Sequence, residues 1–469
     1  MTEAANAEAT QRTTFEGLTP VLAERDASVT GILLVGGASS RFGSPKALAD
    51  FRGETLAERG WRVLGEAFGN RIAVGKQADE LSLPFPIVDD GTSERAPIHG
   101  VLAGLRAAST DPCVVLPIDC PLVTPDALRA LAEARAVPQT GPLPGAYDSS
   151  LVPVLERRLA EGELSLRGVN ENVLELDEKQ LLNVNSRIDL VAAAVADWAA
   201  ERDDVHAAVV AGSHARNDVR ADRWSDLDLF LVVDDPEPYA ADGGWVAEFG
   251  RPVLTFVEPT AVGGQLERRV LFETGEDVDL PLIPLAVLPE LESGEAASTL
   301  ARGFRVLYDD IGIEERLRNA AARAPTPRAP SSAELADLAK DFWYHALWSA
   351  KKLRRGEVFI AKQGVDGYLK SRLVTLLEWH ASAVDPATDT WHEGRFLERW
   401  ADAGALSALE DAYARYDVRD VARALWATID LWRGLEDETA RRLGITLELD
   451  HADLRRRIAE VVPDPRGRL

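Results

Sequence analysis

Cysteine and lysine are scarce in this 469-residue sequence, an excess of basic charge is absent, and no long apolar run occurs. Two cysteines exclude a disulfide framework. Cys113 and Cys120 share one short segment with a strand pattern, and read as buried free thiols in a reducing cytosol. No window approaches the roughly 18 apolar residues of a membrane span. The N-terminal stretch MTEAANAEATQRTTFEG has no apolar centre, which excludes a secretory signal and makes residues 1–27 a mobile leader. The 77 acidic residues outnumber the 52 basic ones, giving a net charge of −25. Such a chain is ill suited to extended contact with nucleic acid, whose affinity comes from neutralised phosphates. The charge suits a cationic acceptor or metal sites, and most of it forms a solvated surface. What remains is a globular, cytoplasmic composition, 46% hydrophobic and 28% charged.

The length exceeds what one hydrophobic core usually serves, so two or three domains are expected. From Gly31 to about Leu190, short apolar strands alternate with helical stretches: GILLV (31–35), RIAVG (71–75) and CVVLPI (113–118) are bounded by Gly, Pro and Asp. That rhythm predicts an α/β domain over 28–200, with a Rossmann-like, doubly wound, mostly parallel sheet. A helical stretch, DLVAAAVADWAAERDD, bridges to a different pattern. HAAVVAGS (206–213), DLDLFLVVDD (226–235), RPVLTFVEP and VDLPLIP are strands before any long helix returns, so 201–322 reads as a small α+β domain. AARAPTPRAPSS (321–332) is a linker, and 333–469, rich in Trp, Leu, Ala and Arg at helical spacing, reads as a C-terminal helical bundle.

The segment LLVGGASSRFGSPKAL (33–48) carries a buried strand into a glycine-rich loop. Gly36, Gly37 and Gly43 leave backbone N–H groups open to phosphates, since no Cβ blocks the way. Ser39 sits among them, and Arg41 and Lys46 supply positive charge to a triphosphate and its leaving pyrophosphate. The spacing is neither a Walker A loop nor a GxGxxG fingerprint. An ordinary strand-to-helix loop is the competing explanation. The pattern GGxSxRxGxxK resembles the signature of the molybdenum cofactor guanylyltransferase family, within the Rossmann-like NTP transferases. Pro97–Gly100 in APIHG and Asp119 in LPIDCP resemble the family's later landmarks. PLPGAYDSSLVPVLERRL and NVNSRIDL are similar to its closing segments, so the likeness covers roughly 28–195. It implies a nucleotide-binding role for Gly100, Mg²⁺ on Asp119, GTP or CTP as substrate, and a molybdopterin-like acceptor. A local turn capped by Asp119 is the alternative.

The second constellation lies in AGSHARNDVRADRWSDLDLFLVV. Side chains alternate along a strand, so Asp226 and Asp228 face one way. Two carboxylates so placed can hold two Mg²⁺ ions that activate an acceptor hydroxyl and neutralise leaving pyrophosphate. Gly212 and Ser213 can hydrogen-bond the β,γ-phosphates, and a third carboxylate is expected from a neighbouring strand, which Asp279 in GEDVDLPLIP fits. Together these resemble the DNA polymerase β-type nucleotidyltransferase superfamily. Residues from about Val205 to His380 are similar, more narrowly, to the aminoglycoside (streptomycin) 6-adenylyltransferase family. That resemblance implies ATP as substrate and AMP transfer to a hydroxyl of a small molecule such as an aminoglycoside. In such enzymes a basic residue of the helical domain can close over the triphosphate; Lys362 is the first choice and Lys351 the second, with a solvated helix-surface lysine as the alternative for each. Trp343, Trp348 and Trp379 are expected in the bundle core.

The expectation is therefore a bifunctional, Mg²⁺-dependent nucleotidyltransferase. Lys46 would act catalytically in the first site, and Asp226, Asp228 and Asp279 as catalytic and metal-binding groups in the second. The alternative keeps one catalytic domain and makes the other a substrate-binding or regulatory module. Acceptors would be small molecules, with no nucleic acid and no membrane; the sequence leaves the oligomeric state open.

Overall fold

The computed structural model describes residues 26–36, 42, 45–216, 219, 221–260, 263–292, 294–324, 328–390 and 394–465. Gly37, Ser39, Arg41 and Gly43 of the first loop, and nearly all of the expected leader, lie outside them. The chain divides into two compact units, Met1–Pro325 and Thr326–Leu469. Among the described residues, no helix is long and apolar enough to cross a membrane.

Among the described residues, the first unit contains two large sheets and two small two-stranded ones. Strands β1 (Asp26–Leu34), β2 (Phe68–Gly75), β3 (Ile87–Asp89), β4 (Cys113–Pro117) and β5 (Gly145–Tyr147) form one in the order β3-β2-β1-β4-β5. The first four are parallel, and β5 joins antiparallel. β1 is apolar on both faces because both are covered. Leu33 enters one core with Leu64 of α1 (Leu56–Ala67), while Ile32 and Leu34 enter another with Val101 and Leu102 of α2 (Pro97–Ala107). This is the doubly wound arrangement expected of a parallel sheet. Helix α1 starts on a capping box in which Thr55 and Glu58 satisfy each other's backbone donors. The chain leaves β1 toward β2 on one side and β4 lies on the other, so a crevice opens at the carboxyl ends of β1 and β4.

Helix α3 (Arg187–Ala199) begins at a second capping box, Ser186 with Asp189, and nine of its thirteen residues are buried. The stretch expected to bridge two domains is therefore interior. Val191, Val195 and Trp198 belong to a single apolar core that takes in Leu33 and Val114 of the first sheet and Val210, Leu229 and Leu280 of the second. Arg52 reinforces the junction, with guanidinium nitrogens 2.6 Å from Asp197 and 2.5 Å from Glu201, and Arg59 also pairs with Asp197. The regions 28–200 and 201–322 thus pack as one body.

The second sheet has six strands: β6 (Val205–Val210), β7 (Leu227–Val233), β8 (Pro252–Pro259), β9 (Leu266–Phe272), β10 (Asp277–Pro284) and β11 (Arg305–Asp309). Their order is β8-β9-β10-β7-β6-β11. Only the β7–β10 pair is parallel, which makes the sheet mixed. Leu227, Leu229 and Leu231 of β7 are fully buried, so the alternate positions, including Asp228, project to the opposite face.

The second unit is helical. Its long helices are α4 (Ser332–Arg354), α5 (Leu369–Val384) and α6 (Val418–Leu443), opened by a Ser331–Glu334 capping box on α4 and an Asp417 cap on α6. Phe342 stacks on Trp432 at 3.8 Å in a core that also buries Trp343 and Trp426. Trp343 takes the core position expected of it. Trp379 is half-buried against that core, and Trp348 is half-buried beside His345 and under the Lys352 ammonium.

Lys370 is buried in this bundle, where its ammonium donates to the Val365 carbonyl at 3.0 Å and to Thr428 Oγ1 at 2.8 Å. Burial pushes its pKa down to about 8. Folding then opposes the charged form, and the cost is present below pH 8. Between pH 8 and the unfolded value near 10.5, the native state sheds the proton that the unfolded chain still holds, so stability rises with pH. Hydrogen exchange at the α6 amides should accordingly slow from pH 7.5 to 9.5, once corrected for intrinsic rates. Lys370→Met should remove that dependence and raise protection at pH 7.5. Unchanged pH dependence in the variant would contradict the assignment.

Candidate functional site

The crevice of the first sheet gathers the first set of predicted residues. Gly36 lies exposed just beyond β1. Lys46 opens a short turn after the glycine-rich loop, and Asp119 follows β4, 73 positions later. Their side chains meet with Lys46 Nζ 3.2 Å from Asp119 Oδ2. The approach is fixed from both sides. Asp119 O accepts from Val184 N at 2.8 Å, and Phe42 O, within the loop, accepts from Arg187 Nε at 3.1 Å. A cation and a carboxylate thus stand at the carboxyl end of parallel strands, where α/β sheets place ligand groups.

Gly100 lies buried in the first turn of α2, and a Cβ there would come within 2.9 Å of Leu34 Cδ2. Its missing side chain lets the helix lie close on β1. A further pair at this end of the sheet carries no sequence pattern. Lys76, just after β2, is buried, with Nζ 2.7 Å from Asp90 Oδ2 and 2.8 Å from the Thr92 carbonyl. A lone lysine ahead of an acidic stretch gives no sign of a partner fourteen residues on.

The second centre lies on one face of the mixed sheet. Asp228 of β7 stands beside Asp279 of the parallel strand β10, and Asp226 immediately precedes β7. One carboxylate oxygen from each of Asp226, Asp228 and Asp279 lies within 4.8 Å of the other two. Asp279 is 5% exposed. Burial, with Glu267, Asp228 and Asp226 adding to it and Arg269 opposing, pushes the Asp279 pKa up to about 7. Three carboxylates this close repel each other, and hard oxygen ligands suit Mg²⁺ or Mn²⁺. The donor set therefore fits a divalent metal.

The turn after β6 is shaped around the same carboxylates. Gly212 has φ of +61°, and a Cβ there would fall 1.8 Å from Asp228 Oδ2. Both the left-handed backbone and the space demand glycine. The Asp228 carbonyl accepts from Ala211 N at 2.9 Å, and Ser213 Oγ donates to the Asp226 carbonyl at 3.3 Å. Gly212→Ala should cost at least about tenfold in transfer at this centre, since an ångström-scale displacement of a reacting group has large effects. Steady-state rates with circular dichroism as a folding check would show it; wild-type turnover in the variant would contradict this packing.

Two groups beside the triad escaped the sequence reading. Arg269 pairs with Asp279 across β9–β10, with Nη1 2.8 Å from Asp279 Oδ2, and Glu267 is buried on the same strand face. Lys362 and Lys351 belong to the helical unit, where Lys362 forms an ion pair with Asp366 and Lys351 is exposed. The two cysteines are free and buried; burial pushes the Cys113 thiol up to about 12, so it stays protonated.

Residues 188–459 match the family model of streptomycin adenylyltransferase, and residues 31–173 match that of the MobA-like NTP transferase domain. Over 247 residues, half of this chain and 84% of the relative, the sequence is 22% identical to aminoglycoside 6-adenylyltransferase of Bacillus subtilis. Over 176 residues, 34% of this chain and 88% of the relative, it is 31% identical to a probable molybdenum cofactor guanylyltransferase of Aquifex aeolicus. A crystal structure of a putative protein from Aquifex aeolicus aligns with 35% of this chain and 96% of its own, at 27% identity and a TM-score of 0.30. Two nucleotidyltransferase-type domains are present in one polypeptide.

Proposed function

This chain belongs to the streptomycin adenylyltransferase family and carries a MobA-like NTP transferase domain ahead of the matched region, and from that premise we propose a bifunctional nucleotidyltransferase. Residues 28–200 would transfer a nucleotide from GTP or CTP to a molybdopterin-like phosphate. Residues 201–322, with the helical region 333–469, would transfer AMP from ATP to a hydroxyl of a small molecule such as an aminoglycoside. The convergence of Asp226, Asp228 and Asp279 within 4.8 Å carries this reading, because the first centre has its own cation and carboxylate in Lys46 and Asp119.

In either transfer, the acceptor oxygen bonds to the α-phosphorus while the bond to the bridging oxygen breaks, and pyrophosphate leaves. Lys46 would balance charge on the triphosphate in the first centre, with Gly36, Gly37, Ser39, Arg41 and Gly43 cradling its phosphates and Gly100 lying nearby. Asp119 would hold Mg²⁺ there. In the second, Gly212 and Ser213 present a thin backbone and a hydroxyl to the β,γ-phosphates. Asp226, Asp228 and Asp279 would hold Mg²⁺, which when bound neutralises phosphate charge and polarises the reacting oxygens. The net charge of −25 favours a cationic acceptor. A cytoplasmic location completes the proposal, and the two buried free thiols favour it.

The test is pyrophosphate release from each NTP, with and without Mg²⁺, against molybdopterin and a set of aminoglycosides. GTP or CTP should respond to the first acceptor and ATP to the second. Release with no NTP under any acceptor would sink the reading, and release with one pair alone would leave a single catalytic domain.

A further inference from the structure

One arginine joins three strands beside the triad. Arg269 lies on β9, directly across from Asp279 of β10, and Glu267 lies two residues before it on the same face. Glu258 of β8 stands opposite Glu267. From this position the guanidinium reaches three carboxylates: Nη1 lies 2.8 Å from Asp279 Oδ2, Nη2 lies 3.4 Å from Glu267 Oε1, and Nε donates to Glu258 Oε1 at 2.5 Å.

The arrangement is asymmetric. Glu267 is 6% exposed and Asp279 5%, whereas the Arg269 and Glu258 side chains are about 40% exposed. The outer pair is free to set the guanidinium, and the inner pair receives it. The hydrogen bond from Nε to Glu258 sets the plane of the guanidinium, and the rigid plane then fixes where Nη1 and Nη2 stand as ion-pair partners of Asp279 and Glu267, which a point charge on a flexible stem would not do. The contact to Asp279 runs through Oδ2, and one of its carboxylate oxygens lies within 4.8 Å of those of Asp226 and Asp228.

Resting on the reading of this centre as metal-dependent, we propose that Arg269 is its positioning residue. By tying Asp279 to Glu267 and Glu258, it holds the third carboxylate of the triad in ligand geometry. Arg269 is not a metal ligand and does not act on the reacting atoms. Groups that orient a ligand in this way typically carry 10–100-fold in metal affinity or activity.

Mn²⁺ binding to the full-length chain carrying Asp119→Ala, so that the first centre does not contribute, measured by calorimetry without nucleotide, separates this proposal from the reading beneath it; that parent is the wild-type reference for the variants that follow. Wild type should bind, and Arg269→Gln should bind at least about tenfold more weakly. Arg269→Lys should recover only part of the loss, having the charge without the fork. In turnover, Arg269→Gln should raise the half-saturating Mg²⁺ concentration and leave the KM for ATP unchanged, a split that general loosening would not give. If Arg269→Gln does not fold, Glu258→Gln removes the outer anchor and should weaken Mn²⁺ binding in the same direction. Binding as tight as wild type in a folded Arg269→Gln or Glu258→Gln variant overturns the proposal, and tighter binding would make Arg269 a counter-ion that the metal displaces. A wild-type chain that binds no Mn²⁺ would overturn the reading of the centre itself.

Discussion

Asp228→Asn is expected to abolish adenylyl transfer at the second centre, with kcat falling by at least about 10³-fold. Metal-assisted stabilisation of transferring phosphate supplies several kcal/mol, and about 4 kcal/mol corresponds to that factor. Asp228 belongs to the acidic set with Asp226 and Asp279, and Gly212 is fitted against its carboxylate. Asparagine keeps the shape and removes the charge. The same substitution should raise the unfolding temperature in chelator, because one of three repelling carboxylates becomes neutral. In excess Mg²⁺ the variant should lose the stabilisation that metal gives wild type. Activity lost with stability gained in chelator is a signature that simple misfolding does not produce. Transfer from GTP or CTP at the first centre should be untouched. Retained adenylyl transfer would remove the triad from the chemistry.

The second large effect belongs to Lys46. Lys46→Met should reduce nucleotidyl transfer at the first centre by about 10²–10³-fold, the usual consequence of deleting one fixed positive group from a developing anion. Its ammonium lies 3.2 Å from Asp119 and half faces the Phe42 ring at 5.8 Å, so it is held at the crevice mouth without nucleotide. With side chains 13% and 28% exposed, the Lys46–Asp119 pair is only partly screened by solvent, and its loss should destabilise the fold by about 1 kcal/mol or more. Single-turnover transfer of labelled nucleotide would separate this chemical defect from weakened binding. Wild-type turnover in Lys46→Met would assign the lysine to packing.

Much of this was legible in sequence because it is local. The GILLV run announces a buried strand, and Asp226 and Asp228 share a face by the two-residue period of a strand. Asp279 could be proposed from its place at the start of an apolar strand. Its alignment with Asp228 depends on the parallel β7–β10 register, which no local pattern encodes. Arg269 and Glu267 escaped for the same reason. In LERRVLF, two adjacent arginines and a glutamate read as a solvated strand, and only the antiparallel pairing with β10 puts Arg269 opposite Asp279. Helix α3 is the complementary case. Its alanines and valines gave the helix, but they could not reveal that both sheets would bury it, because that depends on what lies above and below it.

The most direct measurement follows the α-phosphate of labelled GTP, CTP and ATP into product with wild type, Asp119→Ala and Asp226→Ala, supplying both acceptor classes together. Two independent centres predict two products, the first lost only in Asp119→Ala and the second only in Asp226→Ala. A single product, or both products surviving or vanishing together in either variant, would contradict two nucleotidyltransferase centres in one chain.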